Sequence, residues 1–317
     1  MEPLRPISYV RELRQWDEDD RPLRRAVRSG QAVRIHRGAF MSLKDWGALT
    51  REQRHRHQAV AATRAGRSRP TLSHLSAAIV WGAPTVDPLP RVVDVLSTPA
   101  TGTRTEGGYR RHATTRPDVD VCLLGDVPIT GFVRTMAEYA AQANFVDAVV
   151  ALDWAFRAAR EGESKPSTTP TQVLRVAEEL DIQRGRRKLL RAVSFADPKS
   201  GSPGESASRV GMHVSGFPPP ELQVEFRDHD GLVGFSDFWW PDFGLVGEFD
   251  GLVKYTDQRF TKGQSIDEIV IAEKKREDRL RALPRVHGVS RWLWAEALFS
   301  HQLATTLIRA GLPRARR

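Results

Sequence analysis

Val233, Phe235, Asp237 and Trp239 recur at every second position, and so do Val246, Glu248 and Asp250. That is the two-residue period of β-strands. Pro241-Asp-Phe-Gly244, between the two runs, is turn chemistry. With those four residues as the loop, the antiparallel register sets Trp239 opposite Val246, Asp237 opposite Glu248 and Phe235 opposite Asp250. Residues paired in this way share a face. Cross-strand Cβ atoms lie roughly 5 Å apart, and residues two positions apart on one strand about 7 Å. Three carboxylates so placed repel one another unless a cation lies between them, which makes Asp237, Glu248 and Asp250 candidate ligands for Mg²⁺ or Mn²⁺. Mg²⁺ takes oxygen ligands at about 2.0–2.1 Å and leaves several positions to water and phosphate, so a phosphodiester is the natural guest. A hairpin with a merely solvated polar face fits the same pattern.

The flanking segments extend the unit. Ser202-Pro-Gly-Glu205 opens a helix through Met212, a first strand lies near Gln223 to Phe226, Lys274 to Leu280 forms a charged helix, and Gly288 to Trp294 forms a further strand. The order is helix, three strands, helix, strand, helix. On these residues the region from about Ser200 to Leu312 resembles the nuclease superfamily named for its Pro-Asp…(Asp/Glu)-x-Lys motif, the PD-(D/E)XK nucleases with a restriction-endonuclease-like αβββαβ domain. In particular it resembles the branch related to very-short-patch-repair endonucleases. The matching positions are Glu205, Arg209, Asp237, Glu248, Asp250, Gly251, Arg276, Asp278 and Arg291. The resemblance implies metal-dependent hydrolysis of DNA. Where the superfamily carries Lys, this chain has Asp250. The lysine must then come from Lys254, the first choice for orienting water, or from Lys274 or Lys275. Glu205 is a possible accessory base, and with Ser202 and Pro203 it also fits a helix-capping box. Glu273 and Glu277 are spaced to pair with Arg276 and Arg281 on a solvated helix face.

Towards the other end, Arg21-Pro-Leu-Arg-Arg-Ala-Val-Arg-Ser-Gly30 reads as a helix with Leu23, Ala26 and Val27 inward. Arg21, Arg24, Arg25 and Arg28 are left for solvent or phosphate. Ala32 to Phe40 alternates, with Val33 and Ile35 inward and Arg34 and His36 outward, and Arg37 follows in the same basic segment. A helix, a basic helix and a basic wing outline a winged helix-turn-helix, in which flanking cations hold DNA phosphates. Leu23, Val27, Gly30, Arg34, Gly38 and Phe40 resemble the N-terminal winged helix of abortive-infection type IV antitoxins. Segments 72–82 and 125–135 resemble the body of the same group. This second resemblance implies a DNA-binding regulator and supplies no catalytic residues.

Composition narrows the classes. The 317 residues carry a net charge of +9 with 40% hydrophobic content, which points to a folded, basic chain and a polyanionic partner. A single cysteine, Cys122, excludes an internal disulfide framework and a cysteine zinc cluster, fits a reducing cytoplasm, and reads as a small buried residue. No apolar run reaches the roughly 20 residues of a membrane span. The Arg/Ala-rich, Lys-poor usage suggests a high-GC, actinobacterial-type source. His55 and His57 lie in a basic run that reads as a linker helix near DNA, and His74 beside Ser76 reads as a capping or core residue. Phe145 to Arg160 reads as an amphipathic helix, and a second basic face gathers Arg184, Arg186, Arg187, Lys188 and Arg191.

The expected architecture is therefore α/β (α+β) in three parts: a winged-helix domain over 1–60, an antitoxin-like α/β and helical region over 61–198, and a nuclease-like domain over 199–317. The expected function is that of a cytoplasmic DNA-binding protein with a Mg²⁺-dependent endonuclease domain. The alternative is a non-enzymatic transcriptional regulator, antitoxin-like, with a degenerate nuclease fold and a cognate toxin as partner.

Overall fold

Short helix-forming and strand-forming stretches follow one another along the chain, and the fold is accordingly mixed α/β, with 13 α-helices and several small sheets among the described residues. The computed structural model describes residues 4–15, 19–66, 68–99, 102–160, 163, 165–251 and 266–315, with backbone alone for Arg14 and 266–270. Two compact units divide the chain, Met1–Phe195 and Ala196–Arg317.

The first unit begins with β1 (Ser8–Tyr9), α1 (Val10–Gln15), α2 (Arg21–Arg28), β2 (Ala32–His36), β3 (Ala39–Ser42) and α3 (Leu43–Gly47). The three strands pair antiparallel in the order β1-β3-β2. Leu23, Ala26 and Val27 form the inner side of α2 as expected, but each is only half-buried, while its four arginines are exposed. α4 (Arg51–Arg64) starts on a reciprocal cap between Thr50 and Gln53. Its Ala61 packs with Tyr9, Ile35 and Met41, and its Ala59, Val60 and Ala62 pack with Leu72, Val95 and Ile129. Residue 60 thus falls inside one helix that serves two cores.

α5 (His74–Trp81), β4 (Val93–Ser97), β5 (Arg104–Glu106), β6 (Tyr109–Ala113), β7 (Val121–Leu124) and β8 (Val127–Thr130) follow. β6 lies between a parallel β4 and an antiparallel β5, and β7 and β8 form a hairpin. α6 (Phe132–Gln142), α7 (Phe145–Phe156), α8 (Pro170–Glu179) and α9 (Arg186–Phe195) complete the unit.

Three expectations are corrected here. His55 and His57 are buried within α4: His55 bonds Ser76 Oγ at 3.0 Å and Pro90 O at 3.2 Å, and His57 bonds Gln53 O and the Arg5 amide. They are satisfied core groups on a packed helix rather than part of a linker near DNA. Cys122 is exposed because β7 is the outer strand of a hairpin whose Val121 and Leu123 also face solvent. α7 stops at Phe156 and buries Asp147 to Asp153 without a break, so it is a core helix and not an amphipathic one.

The second unit runs α10 (Pro203–Val214), β9 (Glu221–Asp228), β10 (Gly231–Trp240), β11 (Leu245–Phe249), α11 (Ile266–Arg281), β12 (Gly288–Trp292), α12 (Trp294–Leu298) and α13 (Ser300–Arg309). Its sheet has the order β12-β11-β10-β9, antiparallel except for the β11–β12 pair. The loop falls at Pro241–Phe243 with Gly244 in the left-handed region at φ 56°, and Trp239 pairs with Val246 as expected. Alternation sorts the two faces. Phe238, Trp240, Leu245, Phe249 and Trp292 pack with α10 and α13 residues, whereas Phe226, Trp239 and Val246 pack with Leu280 of α11. Gly247 is required beneath the aromatics, because a Cβ there would lie 2.7 Å from the Trp292 ring and 2.9 Å from that of Trp240.

Candidate active site and nucleic-acid interface

Glu205 is placed by the start of α10. Ser202 caps the helix through the Glu205 amide, Pro203 occupies the first turn, and Gly204 lets the helix come down on the Phe249 ring. Trp292 Nε1 donates to Ser208 Oγ at 2.8 Å and ties the same helix to the sheet. The Glu205 carboxylate accepts from the Gly201 amide at 2.7 Å and from Gln223 Nε2 at 3.0 Å. The reciprocal half of the expected capping box is therefore not made, since the carboxylate takes the Gly201 amide in place of that of Ser202, and Glu205 is an inward-facing acid, 8% exposed.

Gln223 connects it to Asp237. The same Nε2 donates to Asp237 Oδ1 at 3.2 Å, and Asp237 Oδ2 accepts from the Phe249 amide at 2.9 Å. The paired ladder of β10 and β11 runs from Trp240 and Leu245 out to Phe238 and Gly247, and the Asp237 side chain bridges the strands just beyond it. Gln223 has φ 51°, a left-handed backbone inside a strand, which is uncommon outside glycine. Glu205 and Asp237 thus share one donor, whose partial positive charge occupies the space between two carboxylates.

Glu248 has a different environment. Only 5% exposed, it meets Arg276 Nη2 at 2.7 Å and Arg291 Nη2 at 2.8 Å. Arg291 is its parallel cross-strand neighbour on β12. Glu273 bonds both guanidiniums, at 2.8 and 2.7 Å, and Asp250 lies 3.4 Å from Arg291 Nη1. Burial pushes the Glu248 carboxyl up while the two arginines hold it back. The arginine contacts, Arg276 first, bring Glu273 down to about 2. Glu273 and Glu277 do pair with Arg276 and Arg281, but the network runs inward to Glu248, so this face of α11 is not simply solvated.

The donor set decides what a metal ion could use. Asp237 and Glu205 offer hard carboxylate oxygens on either side of a replaceable amide, which fits Mg²⁺ or Mn²⁺, while Glu248 is committed to two guanidiniums. Asp237, Glu248 and Asp250 do not converge on one point: among the described residues, the three-membered cluster with ligand atoms within 4.8 Å is Asp228, His229 and Asp230 at the β9–β10 turn. There Asp228 is already held by Arg279 at 2.7 and 2.6 Å. Lys254 lies outside the described residues, and Lys274 and Lys275 are exposed on α11.

In the first unit a cavity of about 1110 Å³ gathers Arg24 and Arg28 from α2, Arg34 and Arg37 from β2 and its turn, Arg11 from α1 and Arg111 from β6. Its acids, Asp20 and Glu106, are paired to Arg24 at 2.9 Å and Arg104 at 3.0 Å. His36 does not face outward as expected: it is half-buried with its ring edge-on to Tyr109 at 5.2 Å, and burial lowers its pKa. Arg21 and Arg25 are exposed on α2 away from this groove, Arg21 paired to Asp19 at 3.2 Å. Among the described residues no helix is long and apolar enough to cross a membrane.

No protein-family model matches the chain. It is similar to an uncharacterized protein of Mycobacterium tuberculosis, Rv2248 in strain H37Rv and MT2308 in strain CDC 1551, with 36% identity over 121 residues. The match takes in 37% of this chain and 41% of each relative, so the chain spans less than half their length.

Gln223, Arg11 and Arg111 join these sites without having been singled out from the sequence. For Arg111 the strand period of two, once the strand is known, places it on one face with Tyr109. Gln223 had no local signal, because its role depends on a left-handed backbone within a strand.

Proposed function

We propose that this is a DNA-binding protein whose first unit holds the phosphate backbone in its arginine groove and whose second unit hydrolyses phosphodiesters with Mg²⁺ or Mn²⁺. The observation that carries the reading is the convergence of six arginines on one groove with both of its acids already paired. Such a surface holds a polyanion through phosphate contacts. The N-terminal helix and β2–β3 hairpin serve as the winged helix, and the αβββαβ order of the second unit as the nuclease-like domain. A DNA partner and a lone cysteine would both suit a reducing cytoplasm.

In the second unit Asp237 and Glu205 would hold the ion and Asp250 would serve as an outer carboxylate. A bound Mg²⁺ lowers the pKa of a coordinated water and neutralises charge on the attacked phosphate. Gln223, released from between the two acids, is left to orient water, and Glu248 anchors α11 to the sheet through Arg276 and Arg291. Cleavage of supercoiled, linear and single-stranded DNA with Mg²⁺ or Mn²⁺ tests the assignment. Asp237→Ala and Glu205→Ala should abolish cutting and leave DNA binding intact, and unchanged cutting in Asp237→Ala would overturn it.

One observation favours a second reading. Glu248, which stands at the motif position of a metal ligand, is neutralised by two arginines, and Asp250 occupies the place of the motif lysine. On that reading the second unit is a degenerate nuclease fold in a transcriptional regulator with a toxin as partner. DNA binding without any metal-dependent cutting is its expected result.

A further inference from the structure

Val121-Cys-Leu-Leu124 is an uncharged run that ends the sheet of the first unit. That sheet runs from β5 through β6 to β4, and Leu72 bridges β4 to β8, so β5 and β7 are its outer strands. The two edges differ. β5 carries Arg104 and Glu106, the kind of charges that keep an edge from pairing with another chain. β7 carries none, and Val121, Cys122 and Leu123 are all exposed, Leu123 to 66%.

The alternation of hydrogen bonds fixes which groups of β7 are free. Leu72 N–H donates to Pro128 O and Thr130 N–H donates to Leu72 O, both at 2.9 Å, so positions 128 and 130 of β8 point away from β7. Bonded and non-bonded pairs alternate along an antiparallel ladder. Cys122 with Ile129 and Leu124 with Val127 are therefore the bonded pairs, and the Gly131 N–H to Asp120 O bond at 2.7 Å keeps the same phase. The N–H and C=O groups of Val121 and Leu123 point outward and have no hydrogen bond among the described residues. Left-handed backbone bounds the extended segment on both sides, at Asp120 with φ 46° and at Gly125 with φ 66°.

A second β7 fits this edge. With the strands antiparallel about a two-fold axis at Cys122, Val121 of each copy lies opposite Leu123 of the other, and all the outward groups are used. An axis at Val121 or at Leu123 would instead pair a strand residue with position 119 or 125, outside the extended segment. Neither strand brings a charge that opposes the pairing.

We propose that β7 pairs in this register with β7 of a second copy of the chain, forming a symmetric dimer. The two Cys122 residues then make a non-hydrogen-bonded pair at the axis with Cα atoms about 4.5 Å apart, within the disulfide range of about 4.4–6.8 Å. So short a strand pair buries less than the roughly 1,200–2,000 Å² of a stable interface, so the dimer is weak and reversible. It does not depend on the DNA-binding or hydrolytic readings.

Sedimentation equilibrium of the full chain tests the pairing, with diamide as a cross-linking probe that takes up the two thiol hydrogens as a disulfide forms. The chain should self-associate with Kd below about 1 mM, and diamide should link it as a dimer through its single cysteine. Cys122→Ser should abolish the link and leave the association within about twofold of the parent. Leu123→Lys, at an exposed side chain, should weaken the association about tenfold or more and slow the link. Adding Val121→Glu should restore both, because the register sets position 121 against position 123 of the second copy. Arg104→Ala on the β5 edge should change neither. The proposal is overturned if the chain stays monomeric at millimolar concentration, if a dimer forms that diamide does not link, or if Val121→Glu fails to restore the association of Leu123→Lys.

Discussion

Glu248 Oε1 and Arg276 Nη2 meet at 2.7 Å, joining a buried carboxylate of the central strand to the helix that covers it. Removing one partner of such a pair costs more than removing both, because the survivor stays buried and charged. Because Glu248 keeps Arg291, Arg276→Leu should lose about 1–3 kcal/mol of stability at neutral pH, and Glu248→Met with Arg276→Leu less. The pH dependence follows from the upward shift of Glu248. A raised carboxyl contributes stability that is fully present below its unfolded value of 4.5 and lost as pH rises through the folded value. Without Arg276 the shift grows, so the deficit of Arg276→Leu should shrink on acidification from neutral pH to 4.5. Urea titrations at both pH values measure it.

Gln223 combines a bridge with a strained backbone, and two substitutions separate the contributions. Gln223→Ala loses the amide and keeps the left-handed conformation of a residue with a Cβ, whereas Gln223→Gly loses the amide and relieves the strain. The glycine variant should be the more stable of the two by about 1 kcal/mol. Equal stabilities in chemical denaturation would show that the backbone there relaxes.

Phosphate contact by the groove has a salt signature. Each arginine that neutralises a phosphate steepens the dependence of log K on log salt by about 0.9. Arg28→Ala and Arg34→Ala should each flatten the slope by roughly 1 and weaken all sequences alike. Arg25→Ala, away from the groove, should leave the slope unchanged. Fluorescence anisotropy across a salt series on one duplex reads all three.

Gly247→Ala tests the stacking of the sheet on its aromatic layer. The added methyl must displace Trp292 or Trp240, both almost fully buried, at a cost of about 1–3 kcal/mol. A thermal midpoint equal to that of the parent would mean that the layer has room to move.

The hairpin was legible in the sequence because its signal is local: alternation on both sides of a Pro-Asp-Phe-Gly turn fixes a register without reference to the rest of the chain. The exposed arginines of α2 and the inward set of β2 were legible for the same reason. Glu248 was not readable as an ion-pair centre, since Arg276 reaches it from a helix and Arg291 from a parallel strand, neither close in sequence. The β10–β11 ladder ends at Phe238 and Gly247, and beyond it Asp237 bonds the Phe249 amide while Glu248 is drawn to α11. Cys122 and the 145–156 helix misled because composition reports what a segment prefers and not which face its neighbours cover.

β12 joins the sheet by parallel pairing with β11, so β11 gains its second neighbour only after all of α11 has been made. Until then a strand buried at every position in the finished unit has one unpaired edge, and the long closure that covers it is a slow step. A nascent chain halted before Gly288 would offer that edge to a neighbouring chain as a template, which makes the timing of synthesis part of how this unit avoids aggregation.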